Sequence, residues 1–348
     1  MNIIDKEVPS RAALEDELRA RIRGKAKPIG SLGRIEDLAL QIGMVSGSLK
    51  PDLGRAKILV FAGDHGLTAE GVTAYPSAVT REIAKMVLAG NAGINVLARA
   101  SGIDVALVDA GMLEPLPAHD LLIDRRVANG TKNSRLESAM TPDECAQALE
   151  AGRAIATQLV DDNVGIVGYG EIGIGNTSAA ALVAHALTEI DLATLVGPGA
   201  GTPVLGLEHK RKVLESVLAR ANIRDDDPRQ RAHEALRQFG GFEIAMMASA
   251  MTAAAAARRI IVVDGFISTV AAVAAISLHP ETRDCCVFAH CSAEPGHKAL
   301  LDHLGARPLL QLDMRLGEGT GAALAIPLVR AAEWMLRDMA DLPGEHPA

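Results

Sequence analysis

Short, continuous apolar runs recur between residues 56 and 300, and each ends in a loop of glycine and polar residues. The runs are rich in β-branched residues and do not alternate with polar positions, which indicates strands that are covered on both faces. Alanine-rich stretches of helical character often follow them. The pattern therefore predicts an α/β fold with a doubly wound, mostly parallel sheet. The six predicted strands have the sequences KILVF, DVALVDA, GIV, ATLV, RIIVVD and CCVFA.

The two ends of the chain have a different, helical pattern. Three segments there predict helices: residues 11–25, 36–46 and 319–339. The first should end near Gly24, and Pro327 should bend or interrupt the last. We therefore expect a large α/β substrate-binding domain over residues 55–300. A small helical domain should form from residues 1–50 together with residues 301–348.

Composition and charge exclude several classes of partner. Hydrophobic residues make up 49% of the 348 residues but aromatic residues only 2%, so the core must be built from Ala, Val, Ile and Leu. So few aromatic residues argue against a stacking platform for single-stranded nucleic acid. A net charge of −8 without a basic run argues against any partner with a phosphate backbone. The longest apolar stretches, Ile244–Ala257 and Gly265–Leu278, are too short to span a bilayer and predict buried helices.

Cysteine usage and the N-terminal segment bear on the cellular compartment. The four cysteines form no CxxC pair, and no histidine cluster stands at zinc spacing, so free thiols in a reducing compartment are expected. The segment MNIIDKEVPS is charged and lacks the apolar core of a signal peptide. We therefore expect a cytoplasmic protein that binds no membrane.

A glycine-rich loop after the third predicted strand offers two functional interpretations. Gly168 to Gly173 match the spacing GxGxxG of a dinucleotide fingerprint, which would suit an NAD(P)-dependent oxidoreductase. The glycines continue, however, through Gly175 into Asn176 and Thr177 at a predicted helix start. Such a loop is typical of a cradle for a single phosphate, because backbone N–H groups and the helix dipole face the anion. A tight turn with a helix cap remains a further possibility.

Two other loops have candidate chemistry that is weak by itself. Residues 196–202 form a second glycine-rich loop, which contains Gly199. Asp64 and His65 follow the first predicted strand, where they would act as an acid/base pair or, as we favour, as hydrogen-bonding groups that fix the loop.

The segment His290–His297 contains a cysteine and two histidines. Cys291 and His297 would suit a thiol nucleophile and its base, but these partners usually come from distant segments. We therefore favour polar anchoring by Ser292 and Glu294.

The loop Arg315–Gly321 places Glu318 between two glycines at the start of a predicted helix. The glycines would let a substrate approach the carboxylate closely, which suits a catalytic role. The alternative is an ordinary acid at a helix N-terminus, favoured by the helix dipole. That alternative does not require glycine on both sides.

Seven segments occur in a characteristic order between residues 27 and 321: KPIGSLGR, FAGDHG, GEIGIGNT, GGFEI, DGFIST, SAEPGH and LGEGTG. As a set they closely resemble the nicotinate-nucleotide–dimethylbenzimidazole phosphoribosyltransferase family. The resemblance implies a Rossmann-like large domain, a small helical domain and a homodimer. It implies transfer of the phosphoribosyl group of nicotinate mononucleotide to a benzimidazole-type base such as 5,6-dimethylbenzimidazole. The products are alpha-ribazole phosphate and nicotinate, in cobamide lower-ligand synthesis.

The resemblance also implies roles for individual residues. Glu318 matches the catalytic base, and Glu171 and Lys210 match positions near the reacting groups. Gly317, beside Glu318, is also expected to bind substrate. The other expected substrate-binding residues lie in the strand-end loops: Gly173, Gly175, Asn176, Thr177, Gly199, Asp264 and Ser292. Of these, the loops with Gly173, Gly175 and Ser292 match those that hold the phosphate.

An apolar slot for the base is expected between Leu316 and the segment from Tyr75 to Met86, which includes Ile83. No metal or cofactor is expected, because the nucleotide already has a cationic pyridinium leaving group. Two departures affect this site: family members often have Arg where this chain has Pro198, and Gln at or beside Ile83. The natural acceptor base is therefore left open. Besides the oxidoreductase, a nucleotide-binding module without catalysis is a further alternative.

Overall fold

The structure is a computed structural model that describes residues 10–199, 204–221 and 223–343. Its strands are β1 (Arg55–Gly63), β2 (Asp104–Gly111), β3 (Leu122–Asp124), β4 (Val164–Ile172), β5 (Ile260–Val263) and β6 (Cys286–Phe288). The first seven helices are α1 (Arg11–Arg23), α2 (Arg34–Ser46), α3 (Ala78–Leu88), α4 (Gly93–Ala100), α5 (Pro142–Asp161), α6 (Asn176–Thr188) and α7 (Leu192–Leu195). The others are α8 (Val204–Arg220), α9 (Pro228–Phe239), α10 (Phe242–Ala256), α11 (Phe266–Leu278), α12 (Thr282–Cys285), α13 (Pro295–His303) and α14 (Thr320–Asp338).

The strands form one six-stranded sheet in the order β3-β2-β1-β4-β5-β6, and every neighbouring pair is parallel. Helices cover both faces, so the predicted doubly wound α/β fold is confirmed. The chain runs from β1 to one edge of the sheet and then returns to β4 beside β1. This reversal of strand order opens a crevice at the carboxyl ends of β1 and β4, where ligands bind in such folds.

One predicted strand is wrong and one real strand was missed. Most of the run ATLV lies in the short helix α7, and its last residue, Val196, directly follows that helix. The side chain of Asp191 accepts a hydrogen bond from the backbone N–H of Ala193 at 2.8 Å and caps the helical turn. The sixth strand is instead β3, which pairs only with β2 at the edge of the sheet.

Small side chains let the helices pack closely on the sheet and on one another. Nearly all of α10 and α11 is buried, so the two apolar stretches are buried helices as predicted. At Gly152 in α5, an added Cβ would lie 2.2 Å from the backbone oxygen of Met246 in α10, so the helix backbones nearly touch. Within the described residues, no helix is both long and apolar enough to cross a bilayer.

The chain divides into two compact units. Residues 55–326 form the sheet unit, and the terminal unit contains the described residues 10–54 and 327–343. The predicted boundary near residue 300 differs from this division. Residues 301–326 belong to the sheet unit because Leu310 forms a parallel bridge with His290, and because later residues bind the end of β5. Helix α14 continues through Pro327, so of the two predicted effects of this proline the interruption does not occur and the bend stays a prediction. The two units divide at this proline.

Candidate active site

Polar residues gather at the carboxyl ends of the strands that flank the switch point. Asp64 and His65 follow β1, Glu171 is the second-last residue of β4, and Asp264 follows β5. Glu318 lies in the loop before α14, and its backbone N–H donates to the carbonyl oxygen of Glu171 at 3.2 Å. The strand ends thus bring together side chains that are far apart in sequence.

The GxGxxG segment does not form a dinucleotide-binding turn. Gly168 and Gly170 lie inside β4, whereas the fingerprint needs them in the turn after a strand. They are needed there for packing: a Cβ on Gly170 would lie 2.3 Å from the backbone nitrogen of Gly319. The loop Gly173–Gly175 then leads directly into α6, which both the phosphate-cradle and the tight-turn interpretations require.

Glu318 lies at the centre of an unusual backbone turn. Gly317, Glu318 and Gly319 all have positive φ, at +83°, +62° and +89°. A left-handed glutamate is strained, so the surrounding structure must hold it in place. Its carboxylate accepts a hydrogen bond at 3.1 Å from the backbone N–H of Ile94, in the first turn of α4. Burial raises the pKa of Glu318, although the bond from Ile94 opposes the shift.

Glu171 is the most strongly perturbed carboxyl of this group. It is buried and accepts a short hydrogen bond from the side-chain amide of Asn176. Burial, together with the nearby carboxylates of Asp264, Glu243 and Glu318, raises its pKa to about 8. Gly317 leaves room for it, since a Cβ there would lie 2.8 Å from Glu171 Oε1. Glu171 is therefore mostly protonated at neutral pH, next to the less perturbed Glu318.

Asp264 binds the start of α14. Its two carboxylate oxygens accept hydrogen bonds from the backbone N–H groups of Gly319 at 3.1 Å and Ala322 at 2.9 Å. Burial raises its pKa to about 7, against the lowering effect of these N–H donors. Asp264 thus fixes the turn that presents Glu318. These bonds explain why an aspartate stands at this position, and its predicted contact with substrate stays a prediction.

Lys210 joins two of the predicted nucleotide loops. Its ammonium group is buried and donates to the carbonyl oxygen of Gly197 at 3.0 Å and to Thr177 Oγ1 at 3.1 Å. Burial lowers its pKa to about 8, partly offset by Glu294. Gly199 packs against Thr177, because a Cβ on this left-handed glycine would lie 2.8 Å from Thr177 Oγ1. Residues 200–202 of the predicted loop lie outside the described residues.

The segment His290–His297 is held by polar anchoring rather than arranged as a thiol dyad. His297 Nδ1 accepts the backbone N–H of Ser292 at 2.9 Å, and its Nε2 pairs with Thr269 Oγ1 at 3.0 Å. Both ring nitrogens are therefore occupied, and neither pairs with Cys291. Ser292 Oγ in turn accepts the backbone N–H of Glu294 at 3.2 Å. Burial, followed by the neighbouring His290, lowers the pKa of His297 to about 3, so the ring stays neutral.

Asp64 and His65 fix their loop, as the favoured interpretation expects. Asp64 accepts the backbone N–H of Leu113 at 2.9 Å, and His65 Nε2 lies 2.8 Å from Glu243 Oε1 in a fully buried pair. Burial alone would lower the pKa of His65, but the Glu243 carboxylate raises it overall. Gly241 makes room for the pair, since a Cβ there would overlap both partners.

The residues predicted for the base slot are the most exposed of the site. Tyr75, Met86 and Leu316 are exposed by 50%, 52% and 59%, and Ile83 is half-buried. Ile83 and Met86 stand three residues apart on α3 and so share a face. Leu316 lies near the start of α4, because a Cβ on Gly93 would lie 2.8 Å from Leu316 Cδ2 and 3.3 Å from Glu318 Oε2. Leu316 is thus close to Glu318, while the slot between Leu316 and α3 stays a prediction.

Sequence reasoning missed three groups that shape the site. The backbone N–H of Ile94 binds the Glu318 carboxylate, Glu243 pairs with His65, and Thr80 binds the glycine-rich loop. Of the three, only Glu243 could have been found from the sequence, since it stands in the GGFEI segment shortly after two glycines. The other two act through tertiary contacts that no local pattern encodes. Among the described residues, no group of three or more His, Cys, Asp or Glu side chains is arranged to hold a metal ion.

Two concave cavities lie outside this cluster. One of about 510 Å³ is lined by residues near the ends of α6 and α8, including His185 and Glu189. The other, of about 620 Å³, lies at the amino ends of β1 and β2, including Arg55 and Lys57. Ligands of doubly wound folds bind at the carboxyl ends, so the chemistry of the cluster, and not cavity size, identifies the candidate site.

Comparison with known proteins decides the family. Residues 8–344 match the family model described as Phosphoribosyltransferase. The nicotinate-nucleotide–dimethylbenzimidazole phosphoribosyltransferase of Cupriavidus necator is 50% identical over 332 residues, which cover 95% of this chain and 94% of the relative. The chain belongs to this phosphoribosyltransferase family. The enzyme of the same name from Dechloromonas aromatica is 47% identical and covers 94% of each chain.

Solved structures of the family agree with this assignment. A crystal structure of the nicotinate-nucleotide–dimethylbenzimidazole phosphoribosyltransferase from Thermus thermophilus superposes with a TM-score of 0.88 at 39% identity, over 94% of this chain and 96% of that one. None of the comparisons supports the oxidoreductase alternative, which the position of Gly168 and Gly170 inside β4 also contradicts.

Proposed function

We propose that this enzyme transfers the phosphoribosyl group of nicotinate mononucleotide to a benzimidazole-type base, giving alpha-ribazole phosphate and nicotinate in cobamide lower-ligand synthesis. A ring nitrogen of the base attacks C1′ of the ribose. The bond from C1′ to nicotinate breaks, and its electron pair neutralises the pyridinium nitrogen. The remaining N–H of the attacking base becomes acidic as positive charge develops on the ring, and its proton must leave.

The observation that carries this proposal is the presentation of Glu318. The left-handed turn and the Ile94 N–H hold its carboxylate at the carboxyl end of the sheet, beside Glu171. In our proposal Glu318 accepts the proton released by the base. Its raised pKa makes it a better proton acceptor than an exposed glutamate, while it still ionises more readily than Glu171.

Glu171 is assigned the complementary role. Its pKa of about 8 keeps it protonated at neutral pH, so it can donate a hydrogen bond to the substrate without adding a second full negative charge beside Glu318. A single ionised carboxylate then faces the positively charged base. This division of roles between two neighbouring carboxyls follows from their different burial.

The phosphate of the nucleotide is assigned to the glycine-rich loops. Gly173 and Gly175 precede the N-terminus of α6, where backbone N–H groups and the helix dipole favour an anion. Ser292 contributes from the neighbouring loop, and Lys210 braces the loop with Gly197 while adding positive charge. The base is assigned to the exposed apolar groups of Tyr75, Ile83, Met86 and Leu316. The enzyme is proposed to work in the cytoplasm as a homodimer.

The decisive experiment is product formation by the purified enzyme from nicotinate mononucleotide and 5,6-dimethylbenzimidazole, without added metal. Nicotinate and the riboside phosphate are separated by chromatography and identified by mass. Release of both in equal amounts supports the proposal. A panel of benzimidazoles, purines and phenols then maps the acceptor preference. Failure with every acceptor would reject the transferase function.

A further inference from the structure

A single buried hydroxyl ties the proposed base-binding helix to the proposed nucleotide loop. Thr80 lies in the first turn of α3 and is fully buried. Its Oγ1 accepts the backbone N–H of Ile174, the middle residue of the glycine-rich loop, at 3.0 Å. Burial raises the pKa of Asp64, which follows β1, and the Thr80 hydroxyl opposes this shift. Ile83, assigned to the base slot, follows one helical turn later.

A second link of hydroxyl groups holds the same end of α3. Ser77, immediately before the helix, has its Oγ 3.2 Å from Thr68 Oγ1, and Thr68 donates to the carbonyl oxygen of His65 at 2.8 Å. This link reaches the loop after β1 but does not touch Ile174. Among the described residues, Thr80 is therefore the one that links α3 to the glycine-rich loop by a direct hydrogen bond.

The glycine-rich loop has little room to move relative to these groups. A Cβ on Gly175 would lie 2.7 Å from Thr68 Cγ2, and one on Gly173 would lie 2.4 Å from the carbonyl oxygen of Gly63. The loop thus rests on the backbone at the end of β1 through Gly173 and on the Thr68 side chain through Gly175. The Ile174 N–H, which is buried with its residue, has Thr80 as its partner. Removing that acceptor would leave a buried donor unsatisfied, which proteins tolerate poorly.

We infer that Thr80 is a positioning residue that fixes helix α3 against the loop Gly173–Gly175, so that acceptor base and nucleotide are held in register for transfer. The inference rests on the proposed function, because it needs the base beside α3 and the phosphate at the loop. In this role Thr80 does not contact the reacting atoms. It acts through Ile174 on one side and through the position of α3 on the other.

The test compares Thr80→Val, which replaces the hydroxyl by a methyl group, with Thr80→Ser, which keeps the hydroxyl. Thr282→Val is the matched control. Thr282 is equally buried, its hydroxyl has no hydrogen-bond partner among the described residues, and it precedes β6 at the opposite end of the sheet. Kinetic constants for both substrates and amide hydrogen exchange of the peptide containing Ile174 are measured for each variant.

Thr80→Val should lower kcat/KM for both substrates by roughly 10-fold, the factor expected for an unsatisfied buried donor. Exchange at Ile174 should accelerate by at least a similar factor. Thr80→Ser should stay near the wild-type enzyme in both measurements, and Thr282→Val should change neither. If the valine variant does not fold, Thr80→Ala removes the same acceptor without adding bulk and serves in its place.

Unchanged exchange and unchanged kinetics in the variant without the hydroxyl would overturn the inference. So would equal losses in Thr80→Val and Thr282→Val, because these would reflect a general cost of altering a buried threonine. Exchange is read without substrates and therefore separates this inference from the proposed function. A wild-type enzyme that forms no product would reject the function, while exchange would still decide whether Thr80 holds the loop.

Discussion

Replacing Glu318 by glutamine tests the assignment of the catalytic base most directly. The two side chains have nearly the same size, and the amide oxygen of glutamine can still accept the Ile94 N–H that now binds the carboxylate at 3.1 Å. Both residues have the same strain at a φ of +62°, so the turn should persist. What the variant loses is the ability to accept a proton. General-base catalysis contributes roughly 100- to 10,000-fold, so kcat should fall by about that factor.

The assay follows nicotinate release over a range of nucleotide and base concentrations at each pH, so that kcat and KM are both obtained. In the wild-type enzyme kcat/KM should rise with pH as Glu318 loses its proton, at a pH above the ordinary range of a glutamate. The Glu318→Gln variant should lose this rise while its KM for nicotinate mononucleotide stays similar. Glu333→Gln is the control, because Glu333 is also buried and accepts a backbone N–H, from Leu53 at 2.7 Å. Turnover within a few-fold of wild type in Glu318→Gln would refute the assignment.

Three further outcomes are expected. The unfolded chain releases the Glu171 proton near its ordinary pKa of 4.5, whereas the native state holds it up to about pH 8. Stability should therefore fall as pH rises between these values, and thermal unfolding should show a flatter pH dependence in Glu171→Gln. Gly317→Ala should cost about 1 kcal/mol of stability and most of the activity, since its Cβ would press on Glu171. Gly102→Ala, at a φ of +64° with open space around it, should cost similar stability without loss of turnover. Lys210→Met should raise KM for nicotinate mononucleotide about 10-fold. In the wild-type enzyme this KM should rise above pH 8, where Lys210 loses its proton. A KM that stays constant from pH 7 to 9 would contradict this role of Lys210.

The sheet could be predicted to the extent that each strand is buried; length does not decide, because β3 and β6 both have three residues and only β6 is buried throughout. The β1, β2, β4, β5 and β6 runs are continuous and apolar, so a pattern that reports burial finds them. Strand β3 has three residues, none fully buried, and pairs with one neighbour only. It forms because β2 has unpaired backbone groups on its outer side, and these exist only once the sheet has assembled. The run ATLV was wrongly predicted as a strand because its β-branched residues favour one, whereas the capping side chain of Asp191 stabilises a helical turn there.

The candidate site was predictable in its location but not in its electrostatics. Strand-end loops of a parallel sheet must meet at one edge, so Glu171 and Asp264 could be expected together. Glu318, in the loop before α14, was expected with them from the family resemblance. Their pKa values depend on burial and on mutual repulsion between carboxyls from three distant segments. The partner of His65 is likewise 178 residues away. Such values follow from tertiary contacts, which hydrophobic periodicity does not specify.

The turn around Glu318 shows how the two kinds of information combine. The sequence left open whether this residue is a catalytic base or an ordinary acid at a helix N-terminus. The second role at α14 is filled by Asp264, whose carboxylate takes the N–H groups of Gly319 and Ala322. The Glu318 side chain points towards the N-terminus of α4 instead. Its flanking glycines are needed because both have positive φ, and because Gly317 packs closely on Glu171 and Gly319 on Ile58. A strained turn that needs two glycines and a separate capping acid is costly for stability alone, and that cost is what favours a catalytic carboxylate.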